Sequence, residues 1–166
     1  MPFATPVYNA DSLSFSLAGE TINYLFVRQQ MWNRNEFPFN ETALEAAYQP
    51  FINTPYLWGG RSVFGIDCSG FAQQVFKLFG VKLLRDACLQ AGQGAAVKSL
   101  DEAKPGDLAF FQNEKGRVTH VGIVLNDKRI VHASGKVRID SIDADGILNS
   151  ENGKRTHKMH SIRRFF

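Results

Sequence analysis

Apolar residues in the middle of the chain recur at helical spacing. Phe71, Ala72, Val75, Leu78 and Phe79 mark one face of a helix, and Gly80 sits where that helix would stop. Upstream, Thr42-x-x-Glu45 has the capping-box pattern, and Leu44, Ala47, Tyr48 and Phe51 give a second apolar face that Pro50 kinks or ends. From Asp107 onward the pattern changes to alternating and continuous apolar runs. Residues 107–112, 118–125, 129–133, 137–140 and 161–166 read as strands. Helices followed by a meander predict an α+β domain, with the helix of Phe71 packed on an antiparallel β-sheet.

The first third is patterned differently. Residues 12–17 alternate strictly and residues 22–26 do so in part, which predicts two strands with Gly19 at the turn. Residues 35–40 read as a linker. The chain therefore divides into a short N-terminal β extension, residues 1–35, and a main domain, residues 36–166. The extension has too few strands to fold by itself.

The apolar helix begins with chemistry. Tyr56-Leu57-Trp58-Gly59-Gly60 leads through a short connector into Asp67-Cys68-Ser69-Gly70-Phe71, so a cysteine stands where a glycine-rich loop becomes a helix. A thiol in the first helical turn meets unpaired N–H groups and the positive end of the helix dipole, which favour thiolate, the nucleophilic form. The expectation is a partly exposed, activated thiol. Two histidines can serve it. His120 opens an apolar run and His132 closes another, with Asn126-Asp127-Lys128 as turn residues between them. A three-residue loop would set Leu125 opposite Arg129 and make the two imidazoles diagonal neighbours on one face, about 7–8 Å apart at the backbone. A loop one residue longer or shorter would put them on opposite faces. In the first register one histidine can take the thiol proton while the other holds its tautomer.

The order Tyr56-x-Trp58-Gly59-Gly60, Asp67-Cys68-Ser69-Gly70-Phe71, Pro105-Gly106-Asp107-Leu108-x-Phe110-Phe111, His120-Val121-Gly122-Ile123 and His132-Ala133-Ser134 resembles the NlpC/P60 family. These are papain-like cysteine peptidases that cut bacterial cell-wall peptides. The resemblance runs from about Thr54 onward. Leu84-Arg85-Asp86-Ala87 and residues 129–138 resemble one branch, the γ-D-glutamyl-L-diamino acid endopeptidases or dipeptidyl-peptidase VI. The resemblance implies a papain-like fold, with Cys68 as nucleophile, His120 as general base and His132 as the residue that orients it. It implies hydrolysis of the γ-D-glutamyl–diamino acid bond of peptidoglycan-derived peptides through a Cys68 thioester. Tyr56 and Trp58 are substrate contacts by the resemblance, or aromatic packing under a loop. Asp67 would pair with a free L-Ala amine, cap the helix, or do both. Ser69 flanks the nucleophile and leaves room for substrate. Arg85 could hold a substrate carboxylate in bidentate fashion, and Asp86 could contact substrate or cap a short helix ending near Ala91. Upstream SH3-like domains are common in the family, so residues 1–35 are expected to be a remnant of one. An acyltransferase or amidase with the same Cys-His-His core is an alternative, as is a non-catalytic wall-binding module.

Composition adds bounds. The 166 residues carry 19 basic and 16 acidic side chains, a net charge of +3, with much of the excess late, from Lys154 to Arg164. That run reads as a solvated face, with His157 and His160 as surface residues. No basic stripe interleaves with aromatics, which argues against nucleic acid. Two cysteines make no disulfide framework, and Cys88 reads as a small buried hydrophobe. A zinc site from Cys68, Cys88, His120 and His132 lacks the close-set ligand pairs of structural zinc motifs, so no metal or other cofactor is expected. No stretch approaches a membrane span, and Met1 to Pro6 has no leader pattern. The expected location is bacterial: the cytoplasm if the chain is complete, the envelope if a leader has been removed.

Overall fold

Residues 14–23 and 38–166 are described in the computed structural model. Strands β1 (Ser14–Leu17) and β2 (Glu20–Asn23) form an antiparallel hairpin turned at Ala18 and Gly19, both at positive φ. The rest of the expected extension, and most of the linker, lies outside the described residues.

Helix α1 (Glu41–Tyr48) is capped by Asn40, whose side chain accepts the Ala43 N–H at 2.8 Å. Thr42 falls inside the first turn, so the expected capping box does not form there. Pro50 diverts the chain into a 3-10 turn at Gln49–Phe51, as its missing N–H requires. A short hairpin, β3 (Arg61–Ser62) and β4 (Gly65–Ile66), precedes α2 (Cys68–Leu78), and a one-turn helix α3 (Ala87–Gln90) follows it. Gly80 ends α2 in the left-handed region at φ 75°.

The remaining strands are β5 (Ala95–Val97), β6 (Leu108–Gln112), β7 (Val118–Leu125), β8 (Arg129–Ser134), β9 (Lys136–Asp143), β10 (Gly146–Leu148) and β11 (Arg155–Arg164). They make one antiparallel sheet in the order β10-β9-β8-β7-β6-β11-β5, and β10 also pairs with β11. That second pairing closes six strands into a barrel, with β5 outside it on the far half of β11.

Two cores follow from this closure. On the outer face, Phe71, Val75 and Phe76 of α2 and Leu44 of α1 pack on Val121, Ile123 and Val131, all essentially inaccessible. Fully burying each phenylalanine is worth about 1.5–3 kcal/mol, which makes α2 the principal clamp on the sheet. Leu78, expected on this face, is only half-buried, and Phe76 takes the inner place. Inside the barrel, Ala109, Phe111, Val124, Ile130, Ile142, Ile147 and Ile162 bring at least one side chain from each of the six strands.

The strand pattern departs from expectation at the end of the chain. The last strand begins at Arg155, not Ser161, so the basic run is not simply a solvated face. Its residues alternate: His157 and Met159 are half-buried while Thr156, Lys158 and His160 are exposed. β5 and β10, of three residues each, are too short to show a period in sequence.

Candidate active site

The glycine-rich loop is sewn to the helix it precedes. Asp67, in an extended conformation, caps α2 by accepting the Gly70 N–H at 2.7 Å, and its other oxygen accepts the Gly59 N–H at 2.9 Å. The Asp67 N–H donates to the Gly60 carbonyl. A Cβ on Gly60 would strike the Gly65 carbonyl, and one on Gly70 would strike the Gly60 carbonyl, so both glycines are required by backbone approach. The Tyr56 N–H bonds the Gly135 carbonyl at the β8–β9 turn, tying the loop to the sheet.

Cys68 is therefore delivered to the first turn of α2, against β7. The backbone N–H groups of Val121, Ser69 and Cys68 itself are directed at the thiol and favour its ionisation. Burial outweighs them: Cys68 is 7% exposed and its thiol is pushed above the usual range, with the Asp67 charge adding to the shift. This corrects the expectation of a partly exposed, dipole-activated thiolate. Cys88 is also placed contrary to expectation, exposed on α3. The two cysteines are free.

The two histidines meet. The β7–β8 loop has three residues, with Asp127 and Lys128 at positive φ, and Leu125 faces Arg129 while Gly122 faces His132. Nε2 of His120 lies 2.8 Å from Nδ1 of His132. Gly122 makes room for this, since a Cβ there would press on the Ile130 side chain and the His132 Cβ. Val121, one residue after His120, supplies the N–H at the Cys68 sulfur.

The chain of bonds continues to a residue not anticipated from sequence. Nε2 of His132 is 3.0 Å from Oδ2 of Asp140 on β9, and both side chains are about 1% exposed. Burial raises the Asp140 carboxyl, but bonds from His132, the Ser150 N–H and hydroxyl, and Arg138 more than offset it and hold it ionised, well below the ordinary range. An ionised carboxylate only accepts, so the proton on that side belongs to Nε2 of His132. Nδ1 of His132 can then accept from Nε2–H of His120. The lone pair of His120 is then on Nδ1, the nitrogen left to take a thiol proton. Asp140 was legible only as an alternating strand position, because its placement beside His132 depends on the β8–β9 register around Gly135.

A third imidazole completes the cluster. His157 stacks on His120 at 4.1 Å between ring centroids and 29° between planes, and its edge meets Phe111 and His132 at 6.0 and 5.9 Å. It is not the surface residue expected. Burial keeps His120 neutral well below its ordinary titration range, reinforced by His157 and then His132. His157 is itself lowered to about 4, again chiefly by burial.

The remaining candidates surround the thiol. Arg85 forks onto Asp67, with Nη1–Oδ1 at 3.1 Å and Nη2–Oδ2 at 2.5 Å, and Nη1 also donates to the Ser69 hydroxyl at 2.9 Å. Burial pushes the Asp67 carboxyl up, but Arg85 and the Gly70 and Gly59 amides pull it below the usual range. Asp67 is thus a cap and already a partner of Arg85. Buried Gln90 holds the Arg85 segment by donating to the carbonyls of Leu84 and Ser69. Asp86 occupies the cap position of α3 but its side chain makes no capping bond, and it is exposed. Tyr56 is about a third exposed, and its phenol is held protonated by burial first and by the nearby Asp67 charge. Trp58 is 85% exposed, so it does not pack under the loop. Among the described residues no three His, Cys, Asp or Glu side chains form a metal-holding group, and no helix is long and apolar enough to cross a membrane.

Residues 53–155 match the profile of the NlpC/P60 family. A γ-D-glutamyl-L-lysine dipeptidyl-peptidase of Bacillus subtilis is 47% identical over 85 residues, which is 50% of this chain and 28% of that protein. The crystal structure of an NlpC/P60 family protein from Bacillus cereus superposes with a TM-score of 0.64 at 30% identity, covering 80% of this chain and 42% of the other. The NlpC/p60 domain of the peptidoglycan hydrolase SagA gives 0.56 at 34% identity, covering 62% and 90%. The chain thus spans 28% and 42% of the two Bacillus proteins, less than half of each.

Proposed function

Because the chain belongs to the NlpC/P60 family, we propose that it is a cysteine peptidase acting on peptides of the bacterial cell wall, and that the bond it cuts joins γ-D-glutamate to a diamino acid. The observation that carries the reading is the continuous chain from His120 through His132 to Asp140, beginning one residue from the amide at the Cys68 sulfur. The γ-D-glutamyl bond is supported by the likeness to the Bacillus subtilis dipeptidyl-peptidase.

Thiol and imidazole are both neutral at rest. As the substrate carbonyl arrives, Nδ1 of His120 takes the thiol proton, and sulfur attacks the carbonyl carbon. The oxyanion faces the Cys68 N–H at the helix start and is within the province of the Tyr56 hydroxyl. His132 and the Asp140 carboxylate stabilise the positive charge now on His120. That proton then passes to the leaving amine as the tetrahedral adduct collapses to a thioester, and water, deprotonated by the same nitrogen, releases the acyl group. Trp58 and Tyr56 line the approach, and Arg85 and Asp67 present a paired charge to the substrate's polar end. A free L-Ala amine would have to share Asp67 with Arg85.

Digestion of L-Ala-γ-D-Glu-diaminopimelate peptides, with products identified by mass, tests the reading. The expected products are L-Ala-D-Glu and the diaminopimelate peptide, lost in Cys68→Ala. Cleavage elsewhere, or none, would overturn the bond assignment. If Asp67 receives the ammonium, N-acylation of the alanine should slow cleavage at least about tenfold, since a charge-assisted bond is worth roughly 1.5–3 kcal/mol. Equal rates would make Asp67 a cap and an anchor for Arg85 only.

A further inference from the structure

We propose that His157 is a positioning residue for the base: its ring covers one face of His120, shuts that face off from water, and fixes the plane in which His120 meets His132. The proposal rests on the peptidase reading above and concerns a residue outside the Cys-His-His-Asp series.

Three observations carry it. The stacking is close and nearly parallel, at 4.1 Å and 29°, whereas His120 and His132 meet edge to face at 84°. A ring so held cannot rotate about its Cβ–Cγ bond without striking its neighbour. Second, His157 also lines an open cleft of about 480 Å³ together with Ala144, Asp145, Arg155 and Lys158, whereas His120 does not line it. Removing the ring would open the base to that cleft. Third, its backbone is gripped. Ile147 pairs with His157, and a Cβ on Gly146 would collide with the His157 carbonyl, so β10 lies tight against this residue.

The chemistry of the partner suits the task. His157 faces His120 on β7, His132 on β8, and Asp140 and Arg138 on β9, with Phe111 of β6 at its edge. In this company it stays neutral at working pH. It therefore does not compete for the thiol proton, and its π face is available to His120 once that ring becomes a cation.

The test compares His157→Phe, which keeps a flat ring, with His157→Leu, which fills space without one, and with His157→Ala. Steady-state rates on the γ-D-glutamyl peptide are paired with a nitrogen-15 NMR titration of the His120 ring. Phe should stay within about threefold of wild-type kcat, and Leu and Ala should fall at least about tenfold with KM little changed. In Ala the His120 midpoint should rise towards the ordinary value of about 6.5. Wild-type kcat in Leu, or Phe as impaired as Ala, would overturn the proposal. The NMR arm needs no substrate: an unmoved His120 midpoint in Ala sinks the positioning role even if the assigned bond proves wrong. A wild type that fails to cut the peptide sinks the functional reading separately. Should Ala fail to fold, the Phe–Leu comparison decides.

Discussion

At Cys68 two physical effects oppose each other. The helix start and three directed amides favour thiolate, while burial in the outer core favours thiol, and burial dominates. Cys68 is accordingly expected to rest as a thiol that ionises only when its proton has an acceptor. In a Cys88→Ser background, which removes the exposed competitor, iodoacetamide labelling of Cys68 should be slow at neutral pH and still climbing at about pH 9. A labelling midpoint near neutrality would show a preformed ion pair instead. Along the proton path, loss should grade with distance from sulfur. His120→Ala should remove nearly all turnover, His132→Gln should retain more, and Asp140→Asn should cost least of the three, because it acts on His120 only by releasing the tautomer of His132. A His132 variant more damaged than His120→Ala would exchange the two roles.

Elements set these side chains by register, and register is what the sequence conveyed best. Asn126-Asp127-Lys128 announced a three-residue turn, and that turn alone makes His120 and His132 diagonal neighbours. Asp67 announced its cap, and Gly80 the helix end. Asp140 and His157 were not visible in the same way. One needs the β9 register, the other a pairing between β10 and β11 that closes the barrel, and neither leaves a local signal. The burial of Cys68 was missed for a similar reason, since its cover comes from a distant strand. The β7–β8 pair also bears a prediction of its own. Gly122→Ala would push a methyl group into Ile130 and the His132 Cβ. Overpacking at such a site costs about 1–3 kcal/mol. Thermal denaturation should show that loss, and kcat should drop further than the loss of folded protein explains. Unchanged kcat would mean that the imidazole pair tolerates a shift of its strand.

For the whole molecule, the imidazoles of His120 and His157 tie stability to pH on the acid side. His157 titrates near 4 when folded and near its ordinary 6.5 when unfolded. As pH falls through that window the unfolded chain takes up a proton that the native state refuses, so stability drops between about 6.5 and 4 and is flat above. His120 is lowered as well and adds to the same slope. Melting temperature followed from pH 8 to 4 should therefore hold and then fall, and His157→Phe should reduce the fall. An identical profile in the variant would show that the acid sensitivity lies elsewhere.

The closure of the barrel also fixes a sequence of events in the making of the protein. Cys68, His120, His132 and Asp140 all precede β11, so a growing chain has the whole proton path in hand before the strand that seals it exists. Until β11 docks between β6 and β10, His120 lacks the His157 ring on its face and the inner core lacks one of its six walls. Possession of these four residues and completion of the cluster around His120 are thus separated in time. In a growing chain the cluster around His120 is therefore completed only once β11 is in place.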